Sequence, residues 1–281
     1  MRSSRVPVLH TIAAVFVFFA AASHARAQFP GDVPNTFRLN AGGMYSWFTT
    51  AASFEQNGSG GASINMEDVF NLPSHFGFYG RASFNLGFLS FDAAYVGFSR
   101  SRTATISKDI TFGDTTYTAG ASVDAKQESH LPYADIRFNF FHNPSFQFGL
   151  TAGVAYPILK SDLTASAGVI GPNGPVIGGT VTKEAELKTP VPMLGIVTEV
   201  AFTHQLSGGI IFSGIFAPVH PYTGSIFTAD AHMDYYFNPH FGVGGGFNYT
   251  RFRIKKDDLP NVLIDFHHDF YGPRAYLTAT F

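Results

Sequence analysis

The segment Gly272–Phe281 changes character at every residue. Gly272, Arg274, Tyr276, Thr278 and Thr280 share one parity, and Pro273, Ala275, Leu277, Ala279 and Phe281 share the other. Successive side chains of a strand point to opposite faces, so this pattern separates a polar face from an apolar one. Tyr133–Phe140 repeats it, with Asp135, Arg137 and Asn139 opposite Ala134, Ile136, Phe138 and Phe140. A soluble barrel turns its apolar face inward, whereas a membrane barrel turns it toward lipid and keeps a polar interior. An arginine on the lipid face at mid-bilayer costs about 2–4 kcal/mol, so the charged parity is expected to face inward. The fold expected is all-β: a closed, antiparallel, transmembrane up-and-down β-barrel in the bacterial outer membrane. Its last strand would close against the first, and Tyr276 and Phe281 would form the signal read by the barrel-assembly machinery.

The N-terminal residues fit the same compartment. Arg2 and Arg5 precede the apolar run Ile12–Ala22, and Ala25-Arg26-Ala27 offers small residues for cleavage. The run is too short for a spanning helix and reads as a secretory signal peptide over residues 1–27, leaving a barrel domain over 28–281. Without Arg2, Arg5 and Arg26, 15 basic residues face 20 acidic ones, which gives no basic field for nucleic acid. The chain has no cysteine, so disulfides and thiolate metal sites are excluded. Charged residues make up 14% and aromatics 16%; a lipid-facing barrel needs that balance, and the charged share falls well short of the roughly 25% of a soluble domain.

Alternation marks ten strands: Thr36–Phe48, Phe76–Asn85, Phe88–Ser101, Gln127–Phe141, Phe146–Lys160, Pro190–Phe202, Gly208–Ala217, Ser225–Phe237, Phe241–Ile254 and Leu263–Phe281. Eight or twelve remain compatible with the pattern. Short links such as Asn85-Leu86-Gly87 and Asn238-Pro239-His240 alternate with long ones, about Thr49–His75, Arg102–Lys126, Ser161–Thr189, Pro218–Gly224 and Lys255–Val262. That is the layout of periplasmic turns and extracellular loops. Tyr45, Trp47, Tyr95 and Tyr156 are expected in the outer aromatic girdle. Phe141, Phe146, Tyr236, Phe237 and Phe241 are expected in the inner one.

Parity places Arg38, Arg81, Asp92, Asp135, Arg137, Glu199, Asp230, His232, Asp234 and Arg274 in the lumen. They could line an ion-selective or solute-binding passage, or pair with one another and fill it, since a barrel of about ten strands lies near the size that side chains alone fill. In loop one, Ile64, Met66, Val69, Phe70 and Leu72 could constrict the mouth, form a binding patch, or pack against loops two and three. Asp230, His232 and Asp234 lie about 7 Å apart at each step, too far for one ion, so no metal is expected. The strands carry no G-x-S-x-G elbow, and Gly242-Val-Gly244-Gly245-Gly246 precedes no helix, so neither a serine nucleophile nor a dinucleotide cofactor is expected. The glycine run suits relief of crowding inside a narrow barrel. His267-His268-Asp269, with Asp257 and Asp258 nearby, invites comparison with omptin surface proteases, which are also ten-stranded. Adjacent histidines point to opposite faces, however, so no catalytic residues are assigned.

Ile64–Leu72 (INMEDVFNL), Ser99-Arg100, Ile110–Asp114 (ITFGD) and Tyr271–Phe281 (YGPRAYLTATF), in this order, resemble a family of uncharacterised bacterial outer-membrane β-barrel proteins. The turn Asn85-Leu86-Gly87 departs from the basic residues often found there in that family. The resemblance implies an outer-membrane barrel and supports the strand number, and it carries over no catalytic residue and no ligand. The expected partners are outer-membrane lipid and lipopolysaccharide, with periplasmic chaperones and the barrel-assembly machinery during biogenesis. The function expected is a narrow pore or binding barrel for small solutes. The alternatives are a non-conducting surface scaffold with partner-binding loops and, more weakly, an omptin-like rim hydrolase.

Overall fold

The computed structural model describes residues 36–56, 64–112, 115–171, 174–176, 179–219, 222–257 and 262–281. The expected signal peptide lies outside these residues. The first strand, β1 (Thr36–Gln56), is followed by a two-residue β2 (Ile64–Asn65) and a one-turn helix α1 (Met66–Phe70). Then come β3 (His75–Asn85), β4 (Leu89–Thr105), β5 (Ile110–Phe112), β6 (Thr115–Tyr117), β7 (Ser122–Asn143), β8 (Phe146–Ala155), β9 (Ile158–Ala165), β10 (Val169–Gly171) and β11 (Gly174–Val176). The chain continues with β12 (Val181–Lys188), β13 (Val191–Ala201), β14 (Leu206–Val219), β15 (Tyr222–Tyr236), β16 (Phe241–Asp257) and β17 (Val262–Thr280).

Every pairing is antiparallel. From β7 the ladder runs through β4, β3, β1, β17, β16, β15, β14, β13 and β8, and β8 pairs with β7 again. Among the described residues, ten strands therefore close a ring. The first and last strands meet in register from Arg38↔Thr280 to Gln56↔Val262, and the Phe37 and Phe281 backbones exchange two hydrogen bonds of 2.9 and 2.8 Å. Closure gives the backbone N–H and C=O groups along this seam partners where lipid offers none.

The strands run further than alternation marked them. A spanning strand needs about 9–11 residues, yet β1 has 21 and β7 has 22. The stretch taken for a loop at Pro218–Gly224 is mostly strand: β14 and β15 stay paired up to Val219↔Tyr222. The strand expected over Phe146–Lys160 divides at Tyr156-Pro157 into β8 and β9, and the loop expected over Ser161–Thr189 holds the rest of β9 and all of β12, which pair from Val181↔Ala165 to Lys188↔Ile158. Above the membrane both faces of a strand are wetted, so the apolar parity that reveals a strand fades while the ladder continues. Loops two and three also contribute a separate sheet, ordered β11-β10-β6-β5.

The faces follow parity. Ile136, Phe138, Leu150, Leu194, Met233 and Leu277 are exposed on the outside, as a lipid-facing belt requires. Trp47, 5.6 Å from Tyr271 and 5.4 Å from Tyr45, marks the outer girdle, and Phe141, Phe237 and Phe241 mark the inner one. Tyr236 does not belong to the girdle. It is 1% exposed, because it shares inward parity with Asp234 between the outward Tyr235 and Phe237.

Gly242, Gly244 and Gly246 all take the inward parity of β16. A Cβ on Gly244 would sit 2.2 Å from the Tyr276 ring and 2.3 Å from the Asp234 carboxylate, whereas one on Gly245, facing out, would meet nothing closer than 3.6 Å. Gly244→Ala is therefore expected to destabilise the barrel by about 1–3 kcal/mol through overpacking, and Gly245→Ala to be close to neutral. Urea unfolding of the two variants in lipid vesicles, followed by heat-modifiable gel mobility, checks the contrast.

Candidate functional site

The lumen is filled in layers. Toward the periplasmic end lies the charged layer. Asp92 is a hub: it takes Arg81 at 2.8 Å, Arg137 at 3.4 Å and the Ser83 hydroxyl at 2.5 Å. Arg137 reaches on to Glu199 at 3.5 Å, and Glu199 also faces Arg38 at 3.9 Å and His232 at 3.5 Å. Arg274 grips Asp230 with both terminal nitrogens, one at 2.6 Å, and Asn248 donates to the same carboxylate at 3.2 Å. Asp234 accepts from the Tyr276 hydroxyl at 2.7 Å and lies 4.0 Å from Arg38. The Arg274 guanidinium stacks 4.5 Å from the Tyr79 ring.

All ten lumen residues singled out in the sequence therefore face inward, and nine join one connected set of ion pairs. Asp135 stands apart: its Oδ1 is buried without a hydrogen-bond partner, and it sits opposite Asp92 in the ladder. The sequence reading missed Ser83, Asn248, Tyr79 and the inner role of Tyr276, all of which carry inward parity. Among the described residues no group of three His, Cys, Asp or Glu side chains could hold a metal.

Above the charges lies an aromatic layer with Phe48, Phe98, Phe252 and Phe270 at its centre. Above that is a second polar set that the sequence reading did not assemble. His268 lies 2.9 Å from the Thr50 hydroxyl and 3.1 Å from that of Ser129. Arg100 donates to Thr50 at 2.8 Å, to Gln127 and to Glu67 at 2.5 Å, and lies 4.1 Å over the Phe48 ring. Arg100 shares its parity with Asp92 on β4, and that parity was the available signal.

Glu67 ties this set to the lid. Its other carboxylate oxygen accepts from the Thr50 backbone at 2.6 Å, which fixes α1 over the mouth. Asn65 caps the helix, accepting from Glu67 and Asp68 N–H at 3.0 and 3.1 Å, and Asn71 ends it with φ of 50°. Asn65 two and three residues ahead of Glu67-Asp68 is the cap signal for a helix too short to show a period. Ile64, Met66, Phe70 and Leu72 are buried and Val69 is partly buried, in one apolar cluster with Ile110, Phe112, Tyr117 and Val169 of loops two and three. Of the arrangements open to loop one, the structure shows packing against loops two and three.

At the rim, His267 is exposed on the outside of β17, His268 is buried inside, and Asp269 pairs outside with Arg251 at 3.0 Å. The trio is split between the two faces of the wall. Asp258 lies outside the described residues.

His268 lies above the outer girdle. Complete burial, with the Arg100 guanidinium close by, pushes its pKa down to about 3 from 6.5. The unfolded chain takes up a proton at this residue below about pH 6.5, and the folded chain refuses it down to about 3. Stability is thus unaffected by His268 above pH 6.5 and is lost as pH falls through that window. Urea unfolding of wild type and His268→Gln between pH 7.5 and 4.5 is expected to converge by about 1.4 kcal/mol per pH unit below 6.5.

No known family profile matches the chain, and no curated protein matches it. Solved structures do. The outer-membrane protease OmpT of Escherichia coli is similar over 87% of this chain and 97% of its own, with a TM-score of 0.55 and 13% identity. A FadL homologue of Pseudomonas aeruginosa covers 93% of each chain with a TM-score of 0.36 and 9% identity, too distant to carry an argument. Together with the closed ladder and the apolar belt, the first likeness shows the fold: this chain is a closed, antiparallel, up-and-down β-barrel with an apolar outer surface.

Proposed function

We propose that the protein is a non-conducting outer-membrane barrel that works through its extracellular head. The connected ion pairs from Arg38 to Arg274 carry this reading, because they occupy the interior that an axial pore would need. The lid adds a second closure, with the apolar cluster around Met66 and Phe70 lying across the mouth. Side chains can fill a narrow barrel outright, and an aqueous channel needs a wider one. The head is well built for contact. The upper sheet carries the exposed charged ladder Lys126–Glu128, Lys160–Glu186 and Lys188–Glu186 on β7, β9 and β12.

In this reading, the outward Arg251 and Arg253, above Tyr249, which pairs in the ladder with Tyr271 beside the girdle residue Trp47, meet the phosphate-bearing headgroups of the outer leaflet. Biogenesis runs through periplasmic chaperones and the barrel-assembly machinery. No enzymatic role is assigned.

Planar-bilayer recording of the mature chain tests the reading. Folded, heat-modifiable protein is expected to give no discrete conductance steps, with or without the Asp230→Asn and Asp234→Asn changes. Steps in the wild type whose ion selectivity shifts in the double variant would establish a pore and overturn the proposal.

A further inference from the structure

The ring is sealed unevenly. β13 and β14 pair from Ala201↔Ser207 to Leu194↔Gly214 and no further. Beyond that rung β14 continues to Val219 paired only with β15, while β13 continues to Val191 paired only with β8. β12, which precedes β13 in the chain, pairs only with β9. From Met193 and Ile215 upward, two strand edges therefore face each other without a ladder among the described residues. The sequence encodes the gap. Pro190 and Pro192 lie on one edge and Pro218 on the other, and proline has no N–H to give to a ladder. The seam opens within the outer leaflet, since Leu194 pairs with Ala152, four residues short of the girdle residue Tyr156.

Behind the seam lies a chamber of about 40 Å³ between the charged and aromatic layers, room for roughly three waters or one small organic group. Val197, Ile211 and Met193 form its apolar side, and Asn248, Thr228 and Thr250 its uncharged polar side. Outside the wall, Leu194, Phe212, Gly214 and Phe227 form an apolar groove. Thr151 and Ser213, which flank Gly195 one rung below the unpaired edges, line both the chamber and the groove, so the two spaces lie on opposite sides of the same stretch of wall.

We infer that the β13–β14 seam is a lateral port through which a small, uncharged, largely apolar molecule passes from the outer leaflet into the chamber. The molecule's class follows from the path. It must partition into lipid, cross an apolar groove, and settle beside Arg81, Asp230 and Arg274, which already have partners, and beside Asp135, whose unpartnered Oδ1 would accept from one hydroxyl or N–H of the molecule, so it needs no charge of its own. The port is independent of the head's role and is compatible with a sealed axis.

The chain has no cysteine, so Ile211→Cys places one thiol in the chamber. The probe is methyl methanethiosulfonate, small and uncharged, added to folded protein in lipid vesicles. The thiol is expected to react. Narrowing the seam with Ile215→Trp, or Ile215→Phe should the tryptophan variant fail to fold, is expected to slow the reaction about tenfold, because access limits the rate of a buried thiol. Releasing the lid with Glu67→Ala is expected to leave the rate unchanged. Absence of reaction in folded protein, or a rate indifferent to both Ile215 variants, would overturn the port. Acceleration by Glu67→Ala would show entry along the axis and would overturn the port as the route, whereas slowing by the Ile215 variants with an unchanged Glu67→Ala rate supports it.

Discussion

Hydrocarbon offers no partner to a backbone N–H or C=O, and that constraint organises this molecule. It forces the sheet to close, with β1 on β17 and β8 on β7. Closure fixes an inside and an outside, and the two-residue period then assigns each side chain to one of them. The outside collects the aromatic and aliphatic residues. The charged layer inside receives four arginines, His232 and four carboxylates that find one another because little else in the lumen can solvate them, while Asp135 stands apart. Gly244 and its neighbours exist in this context, as the positions where a narrow wall must leave room for Tyr276 and Asp234.

Buried ion pairs contribute little net stability relative to a well-packed apolar core, yet losing one partner is expensive because the other charge stays buried. The charged layer therefore works less as a source of stability than as a restraint. Arg137 bridges Asp92 to Glu199, and Glu199 bridges on to Arg38 and His232, so a change at one strand is felt across the ring. The upper set repeats the arrangement with the lid included, through Glu67. Between these two restraints the β13–β14 ladder stops at Leu194↔Gly214, and any opening of the wall is favoured beyond that rung.

Much of this was legible in the sequence, for a physical reason. Inside the membrane one face is wet and the other greasy, so parity alone put Arg274 and Asp230 in the lumen. Parity did not say which arginine meets which carboxylate, since strand tilt brings together residues from different rungs. Outside the membrane the contrast disappears. Val181–Lys188 is a strand, yet its charged residues Lys183, Glu184 and Glu186 do not read as one apolar face. A five-residue helix such as α1 is too short to declare a period, and only its Asn65 cap gave a sign. Tyr236 was misplaced by proximity to a turn, although its parity with Asp234 pointed inward.

The account stands on the claim that the interior charges form a mutually dependent set. The most direct measurement is a double-mutant cycle on Arg274 and Asp230 in lipid vesicles, using Arg274→Met, Asp230→Leu and the pair. The account predicts that each single change costs about 3–5 kcal/mol and that the double variant recovers most of the loss, because the stranded charge is gone. Additive losses, with no recovery in the double variant, would mean that the two side chains do not depend on each other and would contradict the account.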